Sequence, residues 1–250
     1  MTHAEQIRTA LTGGQTSIGG WMQIPDDGVA TIMGAAGFDW VALDLEHGRF
    51  SEAQLPSLFR AVAARGTVAL ARVGQVTAYA IKAALDGGAS GVILPMIETA
   101  QMLREAIAWA NYPPRGTRGV GYAAANLFGK ELQRDLDGTG PLVVAQIEHA
   151  KAVACIDALL ETPGLDAVML GPYDLSASLG VTGEFDHPEF RRAMTTVAAA
   201  CRRHGIASGV HIVLPEPERL RAAVAEGHRF IAYGTDAVFL WKSAVRPDIA

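Results

Sequence analysis

Eight short runs rich in β-branched and other apolar residues alternate with helical patterns along almost all of this 250-residue chain. Such alternation is typical of parallel strands joined by crossover helices. The predicted strands cover residues 17–24, 38–46, 67–73, 91–96, 142–148, 167–171, 206–212 and 229–234. Since eight such units in a chain of this length suit a closed barrel, we predict a (β/α)8 TIM barrel forming a single domain over residues 1–250.

One connection, residues 111–140, is too long for an ordinary turn, and loops of that length are often functional. Residues 126–136 within it are expected to form a short helix. Its glycine-rich tract YPPRGTRGVG, at 112–121, resembles a phosphate loop only superficially. Because the GxxxxGK[ST] pattern is missing, a phosphate loop is disfavoured.

The charge pattern excludes several classes of partner. The net charge is −5 and no basic block is present, so nucleic acid is not an expected partner. No run approaches the roughly 18 apolar residues that cross a bilayer, and residues 1–15 lack the apolar centre of a signal peptide. We therefore expect a cytoplasmic protein without membrane contact. Cys155 and Cys201 lack neighbouring metal ligands and are interpreted as core residues.

Polar residues concentrate where the predicted strands end. In a βα-barrel the carboxyl ends of all strands meet at one rim, where active sites lie. The polar residues expected at this rim are Asp44, Glu46, His47, Arg72, Gln146, Glu148 and Asp174.

Two of these carboxylates, Glu148 and Asp174, bracket a possible cation site, because a buried carboxylate without a partner loses its hydration. They could instead stabilise helix N-termini, and these two residues alone favour that interpretation. Arg72 could likewise be a structural arginine paired with Asp44. Separate structural explanations for all seven residues are disfavoured, because the barrel places the whole set at one rim.

Two catalytic strategies are disfavoured. A Schiff-base mechanism needs a desolvated lysine in the pocket, but no lysine of the chain falls on a predicted strand. The GxSxG pattern of many serine hydrolases is also missing. Carbonyl chemistry here would therefore use a metal as the electron sink.

Five segments together resemble the HpcH/HpaI aldolase family, with similarity extending over about residues 19–240. The segments are FDWVALDLEHG at 38–48, LPMIE at 94–98, YPPRGTRGVG at 112–121, QIE at 146–148 and GPYDLS at 171–176. The resemblance implies a metal-dependent class II pyruvate aldolase. It also implies a homo-oligomer, usually a hexamer built as a dimer of trimers, in which the last helix, after Leu240, is exchanged between subunits.

The resemblance also implies roles for individual residues. Glu148 and Asp174 match the metal ligands, which would hold Mg²⁺, Mn²⁺ or Co²⁺, with no organic cofactor. His47 matches the catalytic base, and Arg72 matches the residue that binds the keto oxygen and stabilises the enolate. The remaining matches are Asp44 and Asp86, which support the base (Asp86 across a subunit interface), and Gln146, Gly171, Pro172, Tyr173 and Asp174, which bind pyruvate.

The segment after Gly121 lacks an arginine that several family members carry, which weakens the case for a second carboxylate on the aldehyde. Tyr173 and His211 are unusual at their positions, and either could reshape the substrate pocket. Equally, Tyr173 could be a packed loop aromatic and His211 a satisfied barrel histidine.

The expected activity is reversible retro-aldol cleavage of 4-hydroxy-2-oxo acids, through a metal-bound enolate, to an aldehyde and pyruvate or hydroxypyruvate. One alternative is a CoA-thioester lyase of the same superfamily, which is disfavoured because no basic patch for the CoA phosphates is evident. The other is a non-catalytic barrel that only binds a 2-oxo acid. The joint presence of His47, Arg72, Glu148 and Asp174 favours the aldolase.

Overall fold

A computed structural model describes residues 3–247. Eight parallel strands form a closed barrel in sequence order. They are β1 (Ser17–Met22), β2 (Trp40–Asp44), β3 (Val68–Arg72), β4 (Gly91–Leu94), β5 (Leu142–Ile147), β6 (Ala167–Leu170), β7 (Ala207–Ile212) and β8 (Phe230–Tyr233). The predicted (β/α)8 fold and all eight predicted strands are therefore confirmed, with ends shifted by at most two residues.

Helices cover the outside of the barrel. They are α1 (His3–Thr12), α2 (Asp27–Ala35), α3 (Leu55–Ala63), α4 (Ala78–Gly87), α5 (Ala100–Ala110), α6 (Leu132–Asp137), α7 (Ala150–Ala154), α8 (Ile156–Leu160), α9 (Pro172–Ser178), α10 (Pro188–His204), α11 (Pro217–Ala225) and α12 (Asp236–Ser243). Short 3-10 turns form at Glu52–Gln54 and Ala124–Asn126. Within residues 3–247 no helix combines the length and the apolar character needed to cross a membrane.

The barrel interior is a compact apolar core. Side chains alternate between the two faces of each strand, so Trp40 and Ala42 point inward, where Trp40 stacks on Phe230 with ring centroids 4.3 Å apart. Ile7 and Leu11 of α1 join this core and close the amino-terminal end of the barrel. The same alternation brings polar residues inward at the carboxyl ends of the strands, above the apolar layers.

The helix predicted over residues 126–136 is only partly correct. The 3-10 turn Ala124–Asn126 and α6 are separated by Leu127, Phe128 and Gly129, which all have positive φ angles of 49°, 54° and 100°. The Asn126 side chain holds this turn, because its Oδ1 accepts hydrogen bonds from the N–H groups of Ala123 and Gly129. A left-handed backbone cannot continue an α-helix.

Candidate active site

The ends of β2 and β3 place Asp44 beside Arg72, since the two residues are register partners. Arg72 Nε and Nη2 donate to the two carboxylate oxygens of Asp44 over 2.8 and 2.6 Å. Both charges are largely removed from water, with Asp44 fully buried. Burial raises the pKa of Asp44, but the hydrogen bonds and the charge of Arg72 outweigh it, so the pKa falls to about 2. Asp44 is therefore a fixed anion that orients the guanidinium.

Arg72 is further positioned by Glu46 and Trp21. Arg72 Nη1 lies 2.9 Å from Glu46 Oε2, and the guanidinium carbon lies 5.0 Å from the Trp21 ring centroid, a cation–π distance. Each terminal nitrogen carries two N–H groups. Arg72 therefore keeps donors for a further ligand while it remains bound to both carboxylates.

Glu148 follows the last residue of β5 and is buried, with an exposed fraction of 3%. Its Oε1 accepts from the backbone N–H of Met96 over 2.6 Å, and its Oε2 accepts from Gln146 Nε2 over 2.9 Å. Met96 has a φ of 50°, a left-handed conformation that is unusual outside glycine. This strained residue aims its N–H at the carboxylate.

Glu148 is held in an electrostatically unfavourable environment. Burial raises its pKa to about 7, while the N–H of Met96 lowers it and the negative charges of Asp174 and Glu46 raise it further. Burial also raises the pKa of Glu46, against the lowering effect of Arg72. The rim therefore carries more negative charge than its own cation compensates.

The helix-cap interpretation of the two carboxylates is wrong for Glu148. The N-cap of α7 is His149, whose Nδ1 accepts from the N–H of Lys151, and Glu148 is bound to Met96 and Gln146 instead. Asp174 lies in the first turn of α9 and is exposed. Its position near a helix N-terminus is favourable for an anion, and its charge also acts on Glu148.

Gly171 is required by its contact with Glu148. A Cβ atom at this position would lie 2.3 Å from Glu148 Oε2. The small residue at the end of β6 therefore leaves room for the carboxylate. Pro172 and Tyr173 then start α9 beside it.

His47 is the most accessible of the predicted catalytic groups, with a side-chain exposure of 63%. Its backbone N–H donates to Asp44 Oδ1 over 3.2 Å, and its Nε2 lies 4.0 Å from Glu46 Oε2. Asp44 thus fixes the backbone that carries the imidazole. Tyr173 is also exposed and makes an edge contact with Phe185 at a centroid distance of 5.0 Å, so it is only partly packed.

His211 points inward from β7 toward Trp21, with ring centroids 4.6 Å apart. Its Nε2 lies 3.2 Å from the carbonyl oxygen of Gly234. A carbonyl only accepts, so Nε2 carries the proton in this contact and Nδ1 is left as an acceptor. Burial lowers the pKa of His211 to about 4, which keeps the ring neutral at neutral pH.

The structure does not bring Asp86 to the rim of its own chain. Asp86 lies near the carboxyl end of α4 and pairs with Arg118 over 2.6 Å and with Lys82 over 3.4 Å. Because the helices run back from the rim, the end of α4 lies toward the opposite end of the barrel. The role predicted for Asp86 in a neighbouring subunit stays a prediction.

Several side chains that shape the rim had no role predicted from the sequence. Gln23 Nε2 donates to Asp44 Oδ2 over 2.9 Å, and Trp21 lies between Arg72 and His211. Both follow from the alternation of β1, since Trp21 is an inward position and Gln23, directly after the strand, continues the same series. The sequence pattern therefore contained a signal for both. Asp236, which accepts from the N–H groups of Gln23 and Ile24, depends on a contact between the two ends of the chain that the pattern does not reveal.

The residues at the rim fit a divalent cation. Gln146 Oε1 is buried and has no hydrogen-bond partner among residues 3–247, and the carboxylates of Glu148 and Asp174 repel each other. Among residues 3–247 no three or more His, Cys, Asp or Glu side chains form a metal cluster. A hard ion such as Mg²⁺ nevertheless needs only one or two carboxylates, since water and substrate oxygens fill its other positions.

Comparison with known proteins identifies the family. A family model described as HpcH/HpaI aldolase/citrate lyase matches residues 18–243. The chain belongs to this family.

Several relatives are similar over nearly the whole chain. A hydroxypyruvate/pyruvate aldolase of Roseobacter denitrificans is 33% identical over 94% of this chain and 92% of the relative. A 5-keto-4-deoxy-D-glucarate aldolase of Klebsiella pneumoniae is 33% identical over 92% of this chain and 90% of the relative. A crystal structure of an HpcH/HpaI aldolase/citrate lyase family protein from Burkholderia cenocepacia matches with a TM-score of 0.88 and 31% identity over 95% of both chains. Aldolases are carbon–carbon lyases, and this HpcH/HpaI family member is an enzyme of that class.

Proposed function

We propose that this chain is a divalent-metal-dependent, class II aldolase that reversibly cleaves 4-hydroxy-2-oxo acids to an aldehyde and pyruvate or hydroxypyruvate. The observation that carries the proposal is the excess negative charge around Glu148, whose pKa is raised to about 7 by burial and further by Asp174 and Glu46. Glu148 and Asp174 would hold Mg²⁺, Mn²⁺ or Co²⁺, which when bound would polarise the keto group of the substrate.

Arg72 supplies the electrostatic stabilisation from the protein. Its free N–H groups bind the keto oxygen of the 2-oxo acid and stabilise the negative charge that develops there as the enolate forms. Asp44 and Glu46 keep the guanidinium oriented before the substrate arrives. Gln146 and the turn from Gly171 to Asp174 bind the carboxylate end of the substrate.

His47 acts as the base. In the cleavage direction it removes the proton of the 4-hydroxyl group, the electron pair of that O–H bond forms the aldehyde carbonyl, and the C3–C4 bond breaks to leave the enolate. A proton returned to C3 completes the 2-oxo acid. The exposure of His47 supports this role, because the aldehyde must enter and leave on the solvent side.

His211 supports hydroxypyruvate as a nucleophile beside pyruvate. Because Nε2 is bound to the Gly234 carbonyl, Nδ1 is left as an acceptor, and we propose that it is turned toward the substrate in the barrel mouth. A hydroxyl group on C3 can donate to this nitrogen, whereas the methyl group of pyruvate cannot. The name of the Roseobacter relative, a hydroxypyruvate/pyruvate aldolase, agrees with such a choice.

Proton exchange tests the proposed chemistry without knowledge of the aldehyde. We expect the methyl signal of pyruvate in D₂O to disappear with the enzyme and Mg²⁺ and to persist with a chelator, as followed by proton NMR. Glu148→Gln removes the proposed ligand and should slow exchange about a thousandfold, because Lewis-acid stabilisation amounts to several kcal/mol. Glu105→Gln, at an exposed site on α5, is the matched control and should retain full exchange.

The same experiment separates the alternatives. No exchange of pyruvate or hydroxypyruvate with Mg²⁺, Mn²⁺ or Co²⁺ would contradict the aldolase and leave a non-catalytic binding barrel. Tight binding of acetyl-CoA in a calorimetric titration would instead support a CoA-thioester lyase.

We also propose that the chain forms a homo-oligomer, with a hexamer as the expected state. Support comes from exposed apolar side chains on and after α12, where Leu240, Trp241 and Val245 are 60%, 58% and 69% exposed. Contiguous exposed apolar surface is typical of interaction sites. Light scattering of the purified protein tests the mass, and Trp241→Glu should reduce it if α12 is exchanged or packed between subunits.

A further inference from the structure

A cavity lies at the amino-terminal end of the barrel, opposite the candidate active site. Its volume is about 330 Å³, and it is bounded by the end of α4, the connection 111–140 and the approach to β5. We call it the amino-end pocket, defined by Tyr112, Arg115, Arg118, Arg134, Asp135 and Gly140. Three arginines in one cavity on an acidic chain with a net charge of −5 need a physical explanation.

Arg118 is the buried arginine of this pocket, with a side-chain exposure of 7%. Its guanidinium stacks on Tyr112, with 4.5 Å from the guanidinium carbon to the ring centroid, and Nη2 donates to Asp86 over 2.6 Å. Its Nε is buried and has no hydrogen-bond partner among the described residues. Because Nε is inaccessible, a ligand would meet the terminal nitrogens. The terminal N–H groups of a guanidinium that is held by stacking and only partly hydrogen-bonded are suited to a planar or tetrahedral oxyanion.

Arg115 adds a cation that no described residue neutralises. It is exposed and makes no ion pair within residues 3–247. The other charges are paired, since Arg134 contacts Glu131 and Asp135 while Lys82 and Arg118 share Asp86. When these ion-pair partners beside the pocket are included, four cations accompany three carboxylates, and the surplus positive charge belongs to Arg115.

We propose that the amino-end pocket is a binding site for a small oxyanion, a carboxylate or phosphate group, held by Arg115 and Arg118. Recognition would come from the two guanidinium groups and not from the backbone N–H groups of a phosphate loop, which agrees with the missing motif in residues 112–121. None of the six residues that define the pocket belongs to the rim of its own chain, so anion binding can be tested separately from the aldolase chemistry. Arg118 does bind Asp86, the residue with a predicted role at the site of a neighbouring subunit.

Calorimetric titration of the full chain with inorganic phosphate and, separately, with succinate tests the proposal. Succinate has no keto group and cannot enolise. At constant ionic strength we expect saturable binding of at least one anion, and Arg115→Gln should weaken it about tenfold or more. Arg60→Gln, which changes an exposed arginine on α3, is the matched control and should bind as the unmodified protein does.

Two further variants locate the bound anion. Arg118→Lys keeps the positive charge but loses the planar pair of N–H donors of the guanidinium group, so it should also weaken binding. Glu148→Gln, at the opposite end of the barrel, should leave binding unchanged. Binding of phosphate alone or of succinate alone supports the pocket and identifies its ligand class. The proposal is overturned if neither anion binds, if Arg115→Gln binds as well as Arg60→Gln, or if Glu148→Gln abolishes binding and so places the anion at the rim.

Discussion

The two ends of the barrel differ in how their carboxylates are paired with cations. At the amino-terminal end Arg8 Nε lies 2.6 Å from Asp166 Oδ1 and Arg118 Nη2 lies 2.6 Å from Asp86 Oδ1, so each of these carboxylates is paired with at least one cation. At the carboxyl end several carboxylates surround the one guanidinium group of Arg72. Those carboxylates are Asp44, Glu46, Glu148 and Asp174.

This difference indicates what each end does. Paired charges at the amino-terminal end join α1 to the barrel, since Arg8 also donates to the carbonyl of Pro141. The excess of carboxylates at the rim lowers the stability of the folded protein and favours the binding of a cation. A cluster of charges that lowers the stability of the folded protein is typical of a functional site.

Arg72→Gln should produce the largest change, because it leaves the fully buried Asp44 without its cation. Breaking a buried pair from one side costs about 3–5 kcal/mol. We expect the free energy of unfolding to fall by that amount in a urea titration, together with loss of pyruvate proton exchange. A variant of normal stability would mean that the rim charges are less isolated from water than the structure indicates.

The metal-free protein should lose stability as the pH rises from about 4.5 to 7. The pKa of Glu148 is raised from 4.5 to about 7 in the folded state, so the folded protein binds more protons than the unfolded chain in this window, which corresponds to about 3 kcal/mol. Asp44, with its pKa lowered to about 2, acts in the opposite sense and loses its contribution as the pH falls through that value.

Urea titrations in chelator at pH 5 and pH 7.5 measure the effect of Glu148. Glu148→Gln should flatten the difference between the two pH values, whereas Glu105→Gln should preserve it. An equal pH dependence in both variants would assign the effect to other groups.

Gly171→Ala should selectively weaken the metal site. The added Cβ would lie 2.3 Å from Glu148 Oε2, so the carboxylate must move. Changes that misplace a metal ligand typically reduce affinity by about 10–100-fold. A titration of proton exchange against Mg²⁺ should show the higher metal requirement, and recovery of full activity at saturating metal would confirm that the defect lies in binding.

Asp166→Asn should have the smallest effect and should act only on stability. Asp166 receives two hydrogen bonds from Arg8 and one from the N–H of Val143, and hydrogen bonds to charged groups contribute about 2 kcal/mol. The melting temperature should fall while metal-dependent exchange per folded molecule stays unchanged. A loss of exchange in the folded variant would show that the two ends of the barrel are coupled.

The sequence predicted the fold and the polar rim because both follow from strand alternation. Once the strands were placed, Asp44, Arg72 and Gln146 had to point inward at the same end. The conformation of Met96 was not predictable, since its φ of 50° depends on the carboxylate of Glu148, 52 positions further along the chain. The turn at Leu127 and Phe128 was not predicted either. It is determined by hydrogen bonds to the Asn126 side chain and not by the helix propensities of its residues.

Metal binding by calorimetry tests the central claim, that the rim is organised around a cation. We would titrate Mn²⁺ into the protein at pH 6.5 in two buffers with different ionisation heats, which reports the protons exchanged. We expect one ion per chain and release of a fractional proton from Glu148, since its pKa is raised to about 7. Glu148→Gln should abolish both. Unchanged affinity in Glu148→Gln, or no binding to the original protein, would contradict the account.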